Sequence, residues 1–184
     1  MSIEDELART VARDEIRQCL ARYCRGVDRK DWALLRSTYH EDAHDDHGAY
    51  KGDVEGLIEW IARGHERVVQ SMHFLGGSVI EVRGEAAAAD TQCVTFQIRE
   101  VPPDDAPAGQ AVATDAQQMV AVSRYADRFE RRGGAWRIAH RVCILETLTT
   151  TTIPLPVPPA DQVMASRSMA DASYRVFSEL LTVM

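Results

Sequence analysis

Met72–Glu100, MHFLGGSVIEVRGEAAAADTQCVTFQIRE, is where the chain changes character. Before it the apolar residues recur at helical spacing. After Met72 the sequence is rich in Val, Ile, Thr and aromatic residues, and it predicts two strands, Phe74–Arg83 and Ala86–Glu100, turned at Arg83-Gly84-Glu85. Two more strands are expected downstream, Ala113–Arg131 and Ala135–Thr149, closed by Arg132-Gly133-Gly134 as a tight hairpin. Between the two pairs, the Pro- and Ala-rich Val101–Gly109 reads as a longer loop.

Upstream, Ile16, Leu20, Tyr23 and Val27 continue a stripe begun by Ile3, Leu7 and Val11, which predicts a helix over 3–27 with Tyr23 turned inward. Asp31 is the expected N-cap of a short second helix, Asp31–Tyr39. Glu41–Tyr50 reads as a short strand and turn, and a third helix is expected from Asp53 to Gln70. Three helices followed by an antiparallel meander define the α+β class, with helices covering one face of the sheet. A strongly curved sheet closed by helices at one end is a cone with a cavity, suited to a small molecule. The domain is expected over 1–152; beyond it, 153–184 reads as a Pro-rich linker and a C-terminal helix from Ala160 to Leu181.

Composition narrows the function. The length of 184 residues fits one domain with a real core, and 45% hydrophobic with 27% charged residues is globular usage. A formal charge of −7 excludes a nucleic-acid surface, which needs clustered Lys and Arg. No run approaches a membrane-spanning length, and the acidic start is unlike a signal peptide, so a cytoplasmic protein is expected. Cys19, Cys24, Cys93 and Cys143 lack CxxC spacing and lie in apolar patterns, as reduced core cysteines do.

The chemistry-bearing residues are Tyr23 and Asp28 in Tyr-Cys-Arg-Gly-Val-Asp, and His73 in Ser-Met-His-Phe. An acid, a phenol and an imidazole at element ends are the parts of a general acid/base site. A carboxylate at the end of the first helix opposes the macrodipole and needs a cationic partner. A carboxylate bonded to one ring nitrogen of His73 would fix its tautomer and leave the other nitrogen as base. Bland readings stand beside these: Asp28 as a loop acid, His73 and Tyr23 as bonded core residues. The run His40-Glu-Asp-Ala-His-Asp-Asp-His47 holds six potential metal ligands. Strand alternation splits them between two faces, so no metal is expected; His47, with Asp45 on its own face, reads as a cavity-lining donor. Arg141 shares a strand face with Ala139 and Cys143, and would either bind a carboxylate or enolate from the cavity wall or pair with an acid at the sheet surface.

The order of elements and the Tyr-x-x-x-x-Asp plus His arrangement resemble the nuclear-transport-factor-2-like superfamily, in its polyketide-cyclase-like (SnoaL-like) branch. Asp42-Ala43, Gly48-x-Tyr50-x-Gly52 and Glu130-Arg131-x-x-Gly-x-Trp136 fall where that family has them, and the resemblance covers roughly 5–150. It is similar in its motifs to scytalone dehydratase, bile-acid 7α-dehydratase and hexachlorocyclohexane dehydrochlorinase. The resemblance implies a catalytic Asp28–His73 dyad, Tyr23 as the dehydratases' tyrosine, and Arg141 as the dehydrochlorinase's arginine. His47 stands where the dehydratases have a second tyrosine, and Tyr23 where the dehydrochlorinase has a lysine, which disfavours halide elimination. It also implies no cofactor and a homo-oligomer, trimer or dimer. The expected function is a dehydratase-like lyase acting on a hydrophobic, cyclic, oxygenated small molecule. An isomerase or cyclase of the same fold, or a non-catalytic binding module, is the alternative.

Overall fold

The computed structural model describes residues 2–101, 115–157 and 159–182. The elements, in chain order, are α1 (Ile3–Arg29), α2 (Trp32–Arg36), β1 (Tyr39–Asp46), β2 (Lys51–Gly52), α3 (Val54–Gly64), β3 (Val68–Arg83), β4 (Ala86–Val101), β5 (Asp115–Arg132), β6 (Ala135–Pro154) and α4 (Ala172–Thr182). One curved six-stranded sheet runs in the order β2-β1-β6-β5-β4-β3, unclosed, with the N-terminal helices on one face. β3 to β6 form the expected antiparallel meander, and β1 joins it parallel to β6. This is the cone-like α+β architecture.

Helix α1 begins in a reciprocal cap. Ser2 Oγ accepts from Asp5 N–H at 3.1 Å, and Asp5 accepts from Ser2 N–H at 2.9 Å. Its inward stripe, Ile16, Cys19, Leu20, Tyr23 and Val27, is fully buried against the sheet. Each such Ile or Leu contributes about 1.5–3 kcal/mol by leaving water. The same stripe does not stay buried toward the N-terminus: Ile3, Leu7 and Val11 are 88%, 63% and 48% exposed.

Several boundaries differ from the sequence reading. Helix α1 continues to Arg29 and ends at Lys30 in the left-handed conformation, so Asp28 lies inside the last turn rather than after it. Helix α3, capped by the Asp53 carboxylate on Gly56 N–H, stops at Gly64 instead of Gln70. The β-branched pair Val68-Val69 then starts β3, so His73 sits within a strand rather than at its edge. The first strand begins earlier, at Tyr39, and ends at Asp46. The C-terminal helix is shorter than expected and starts at Ala172. Asp171 accepts from Ser166 N–H, Ser173 N–H and Ser173 O–H, and these side-chain bonds hold the preceding residues in turns. The expected loop after Val101 lies outside the described residues.

At Gly26 α1 lies close against α2. A Cβ there would stand 2.8–2.9 Å from the Leu35 backbone and Cβ, with no flexible group to yield. Gly26→Ala is expected to cost about 1–3 kcal/mol by overpacking. Urea unfolding would show a lower midpoint at unchanged slope; an unchanged midpoint would mean the two helices part easily.

Candidate active site

Asp28 and His73 meet although 45 residues separate them. Alternation along β3 turns Ser71, His73 and Leu75 toward α1, while Met72 and Phe74 stay 59% and 65% exposed on the opposite face. Asp28, buried at 6% exposure, receives three hydrogen bonds from this strand. Ser71 O–H donates at 2.7 Å, His73 N–H at 2.8 Å and His73 Nδ1 at 2.7 Å. Burial alone would raise the carboxyl pKa, but the bonds from His73 and Ser71 and the attraction of the imidazole hold it below the usual range. An ionised carboxylate only accepts, so Nδ1 carries a proton, and in the neutral imidazole Nε2 then keeps its lone pair.

A second carboxylate–imidazole pair stands at the end of β1. Asp45 is fully buried; Tyr39 O–H donates to its Oδ2 at 2.6 Å, and His47 Nδ1 bonds its Oδ1. Burial raises the Asp45 pKa, yet the bond and charge of His47, together with Arg141, bring it below the ordinary value. With Nδ1 protonated, His47 Nε2 accepts from Tyr23 O–H at 3.3 Å. The Tyr23 phenol is pushed well above its ordinary pKa by burial, against the opposing charge of Arg141. The result is a continuous chain, Tyr39–Asp45–His47–Tyr23.

Both imidazoles and Tyr23 line one cavity of about 600 Å³. Val27, Trp60, Ile61, Met119, Ala121 and Leu145 make most of its wall apolar, as small-molecule sites are. The register explains the assembly: His73 pairs Thr95 and Thr95 pairs Ala121, one inward row across three strands.

Arg141 is not brought to this wall. It pairs in register with Asp45 on one side and Asp127 on the other, one inward row of acid, base and acid. It is 0% exposed, donates to Asp127 through Nε and Nη2 at 2.7 Å each, and lies 4.2 and 4.0 Å from the centres of the Tyr23 and Tyr125 rings. It therefore supports Tyr23 from behind. In the His40–His47 run alternation holds from Asp42 on, with Ala43 and Asp45 buried and Asp42 and His44 exposed; before it the register shifts, leaving Glu41 exposed and His40 buried with its Nε2 bonded to Glu130 O at 2.9 Å. Among the described residues no group of three or more His, Cys, Asp or Glu is placed to hold a metal. All four cysteines are free, and three are buried.

Sequence reasoning missed Asp127, Ser71 and Tyr39. Asp127 had a signal, since it shares an inward apolar face with Tyr125 and Phe129, where a lone charge demands a partner. Ser71 and Tyr39 carried none.

An open α+β cone with convergent acid/base groups on an apolar cavity defines a small-molecule-binding fold. The SnoaL-like domain model matches residues 8–142, and the chain belongs to that family, within the nuclear-transport-factor-2-like superfamily. Its fold is similar to a type 2 hexachlorocyclohexane dehydrochlorinase (18% identity, 85% of this chain and 99% of that one, TM-score 0.65). It is also similar to a scytalone dehydratase-like protein from Novosphingobium aromaticivorans (12%, 85% and 97%, TM-score 0.64). A third likeness, to a protein of unknown function from Mycobacterium tuberculosis, reaches 99% of this chain and 92% of that one (23%, TM-score 0.58). The comparison with curated protein sequences gives no match.

Two outcomes follow. Arg141→Met leaves Asp127 buried without its partner and is expected to cost about 3–5 kcal/mol in urea unfolding; adding Asp127→Leu restores most of it. A single variant as stable as the parent would contradict the ion pair. The second concerns pH. Asp28 and Asp45 both titrate lower folded than unfolded, so each contributes stability above the unfolded value of about 3.9, and that contribution is lost as pH falls through the folded value. Unfolding free energies measured from pH 7 downward should therefore fall more steeply for the parent than for Asp28→Asn. Parallel curves would show that Asp28 carries no such linkage.

Proposed function

We propose that this protein is a lyase, a dehydratase acting on a hydrophobic, cyclic, oxygenated small molecule, with Asp28 and His73 as its general acid/base pair. The observation that carries this reading is the placing of two carboxylate–imidazole pairs on one apolar cavity. His73 Nε2 removes a proton from the carbon next to a carbonyl, and the C–H electrons pass to the carbonyl oxygen as an enolate. Tyr23 turns its O–H from His47 Nε2 to donate a hydrogen bond to that oxygen, or gives its proton to the departing hydroxyl and is reprotonated from solvent, while His47, backed by Asp45, holds the phenol in place. The C–O bond then breaks, the enolate electrons form the C=C bond, and water leaves. The proton held by His73 passes to the leaving oxygen in a syn elimination, or to solvent. No cofactor takes part in this sequence.

Two imidazoles on one cavity also allow the proton to return to a different carbon, which would be isomerisation by the same residues. Assembly belongs to the same reading. Met72, Phe74, Val94 and Val122 lie exposed on the outer sheet face, an apolar patch fitting a homo-oligomer, dimer or trimer.

The test is a panel of cyclic β-hydroxy ketones followed by the absorbance of the enone product. The parent protein is expected to dehydrate at least one. His73→Ala should keep ligand affinity and lose about 10²–10⁴-fold in turnover. Turnover surviving in His73→Ala would sink the dyad, and ligand binding without turnover in the parent would favour a binding module.

A further inference from the structure

A carboxylate in the last turn of a helix faces the negative end of the macrodipole. Asp28 is in that position, and the compensating cation comes from far along the chain. Arg167, in the segment before α4, uses all three guanidinium nitrogens. Nε donates to Asp28 O at 3.1 Å, Nη2 to Val27 O at 3.1 Å, and Nη1 to Val68 O at 2.8 Å. Nη2 also donates to His65 Nδ1 at 2.9 Å. Val27 and Asp28 belong to the end of α1, Val68 opens β3, and His65 lies in the link between α3 and β3.

We propose that Arg167 is a positioning residue of the proton-transfer site, locking the helix end that carries Asp28 to the strand that carries His73. The inference rests on the dyad reading above and deepens it.

Three observations support the role. The guanidinium bonds main-chain oxygens of both elements, so it sets their spacing directly and not through a flexible side chain. A second path reaches Asp28 from the same side: His65 Nε2 lies 3.0 Å from the Gln97 side-chain amide, which donates to Ser71 Oγ at 3.4 Å, and Ser71 donates to Asp28. His65 takes the Arg167 bond at Nδ1 as a neutral acceptor, because burial first, and then the charge of Arg167, lowers its pKa to about 3. Finally, the chain is fastened on the C-terminal side of Arg167. Arg29 pairs with Asp171 at 3.3 Å, Tyr174 O–H donates to Asp31 at 2.8 Å, and Arg25 covers the Tyr174 and Phe177 rings at 4.2 and 4.4 Å.

The charged and titratable groups around the dyad are few. Arg25, Arg29, Lys30 and the Cys24 thiol come from the end of α1, His65 and Glu66 from the link, Arg99 from β4, and Arg167 and Asp171 from the C-terminal segment. Of these groups, among the described residues, Arg167 bonds main-chain oxygens of both α1 and β3. Lysine would keep its charge but not its planar fork, and three rotatable N–H groups on one nitrogen do not reach the same spread of acceptors.

The experiment needs no substrate. The Nδ1 proton of His73, held by Asp28 at 2.7 Å, is expected to resonate downfield of the amides in the full-length protein. Arg167→Ala is expected to lose that resonance to exchange with water, and Arg167→Lys to broaden it. Tyr174→Phe, which removes an anchor away from the dyad, should lower the melting temperature and leave the resonance in place. With a reacting hydroxy ketone in hand, Arg167→Ala should lower kcat by about 10²-fold at little changed KM. A resonance unchanged in folded Arg167→Ala overturns the proposal; should that variant not fold, an unchanged resonance in Arg167→Lys does the same. Parent protein that shows the resonance but turns over no hydroxy ketone removes the dehydratase reading and leaves the positioning role standing.

Discussion

The structure depends on a buried carboxylate at the wrong end of a helix. Asp28 has left water and faces the carbonyl end of α1, and either circumstance alone would favour its neutral form. Ser71 O–H and two N–H groups of His73 hold it ionised, and the Arg167 guanidinium covers the carbonyls beside it. Those donors belong to β3 and to the segment before α4, so charging one side chain requires three distant parts of the chain to be in place. The cost of a missing donor falls on an already desolvated charge, which makes the arrangement all-or-none.

The opposite side of the cavity solves a similar problem with a row of charges. Asp45, Arg141 and Asp127 stand side by side on β1, β6 and β5, with one cation between two acids. Arg141 gives its paired nitrogens to Asp127 and stacks on Tyr23, which leaves Asp45 to His47 and Tyr39. Tyr23 is thereby held by packing from below and by His47 at its hydroxyl. The cavity thus faces one imidazole fixed by a helix carboxylate and another fixed by a strand carboxylate, a disposition suited to moving protons between two places on one ligand.

The fold was legible because its signals are periodic. The α1 stripe, the strands after Met72 and the two glycine turns follow from spacing alone, and the inward turns of Tyr23 and Asp45 follow from the same rules. Boundaries were less legible. The difference at Gly64 and the late start of α4 come from local capping and turn bonds that compete with helical pattern. Among the site residues, Asp28 and His73 could be named from the motif, yet nothing in the sequence says that Ser71 is the third donor. Arg141 reads from sequence either as a cavity arginine or as one paired with an acid at the sheet surface, and nothing there names Asp127 as its buried partner, because cross-strand register is a tertiary fact. Arg167 was invisible: it carries no periodic signal, although the adverse position of Asp28 already required a cation there.

The central claim is that Asp28 fixes His73 with its proton on Nδ1 and a free base at Nε2 toward the cavity. Long-range ¹H–¹⁵N correlation spectra of the imidazole, recorded at neutral pH on the parent and on Asp28→Asn, test it most directly. The account predicts a protonated Nδ1 and a bare Nε2 in the parent, with that preference lost in the variant. A parent His73 carrying its proton on Nε2 would contradict it.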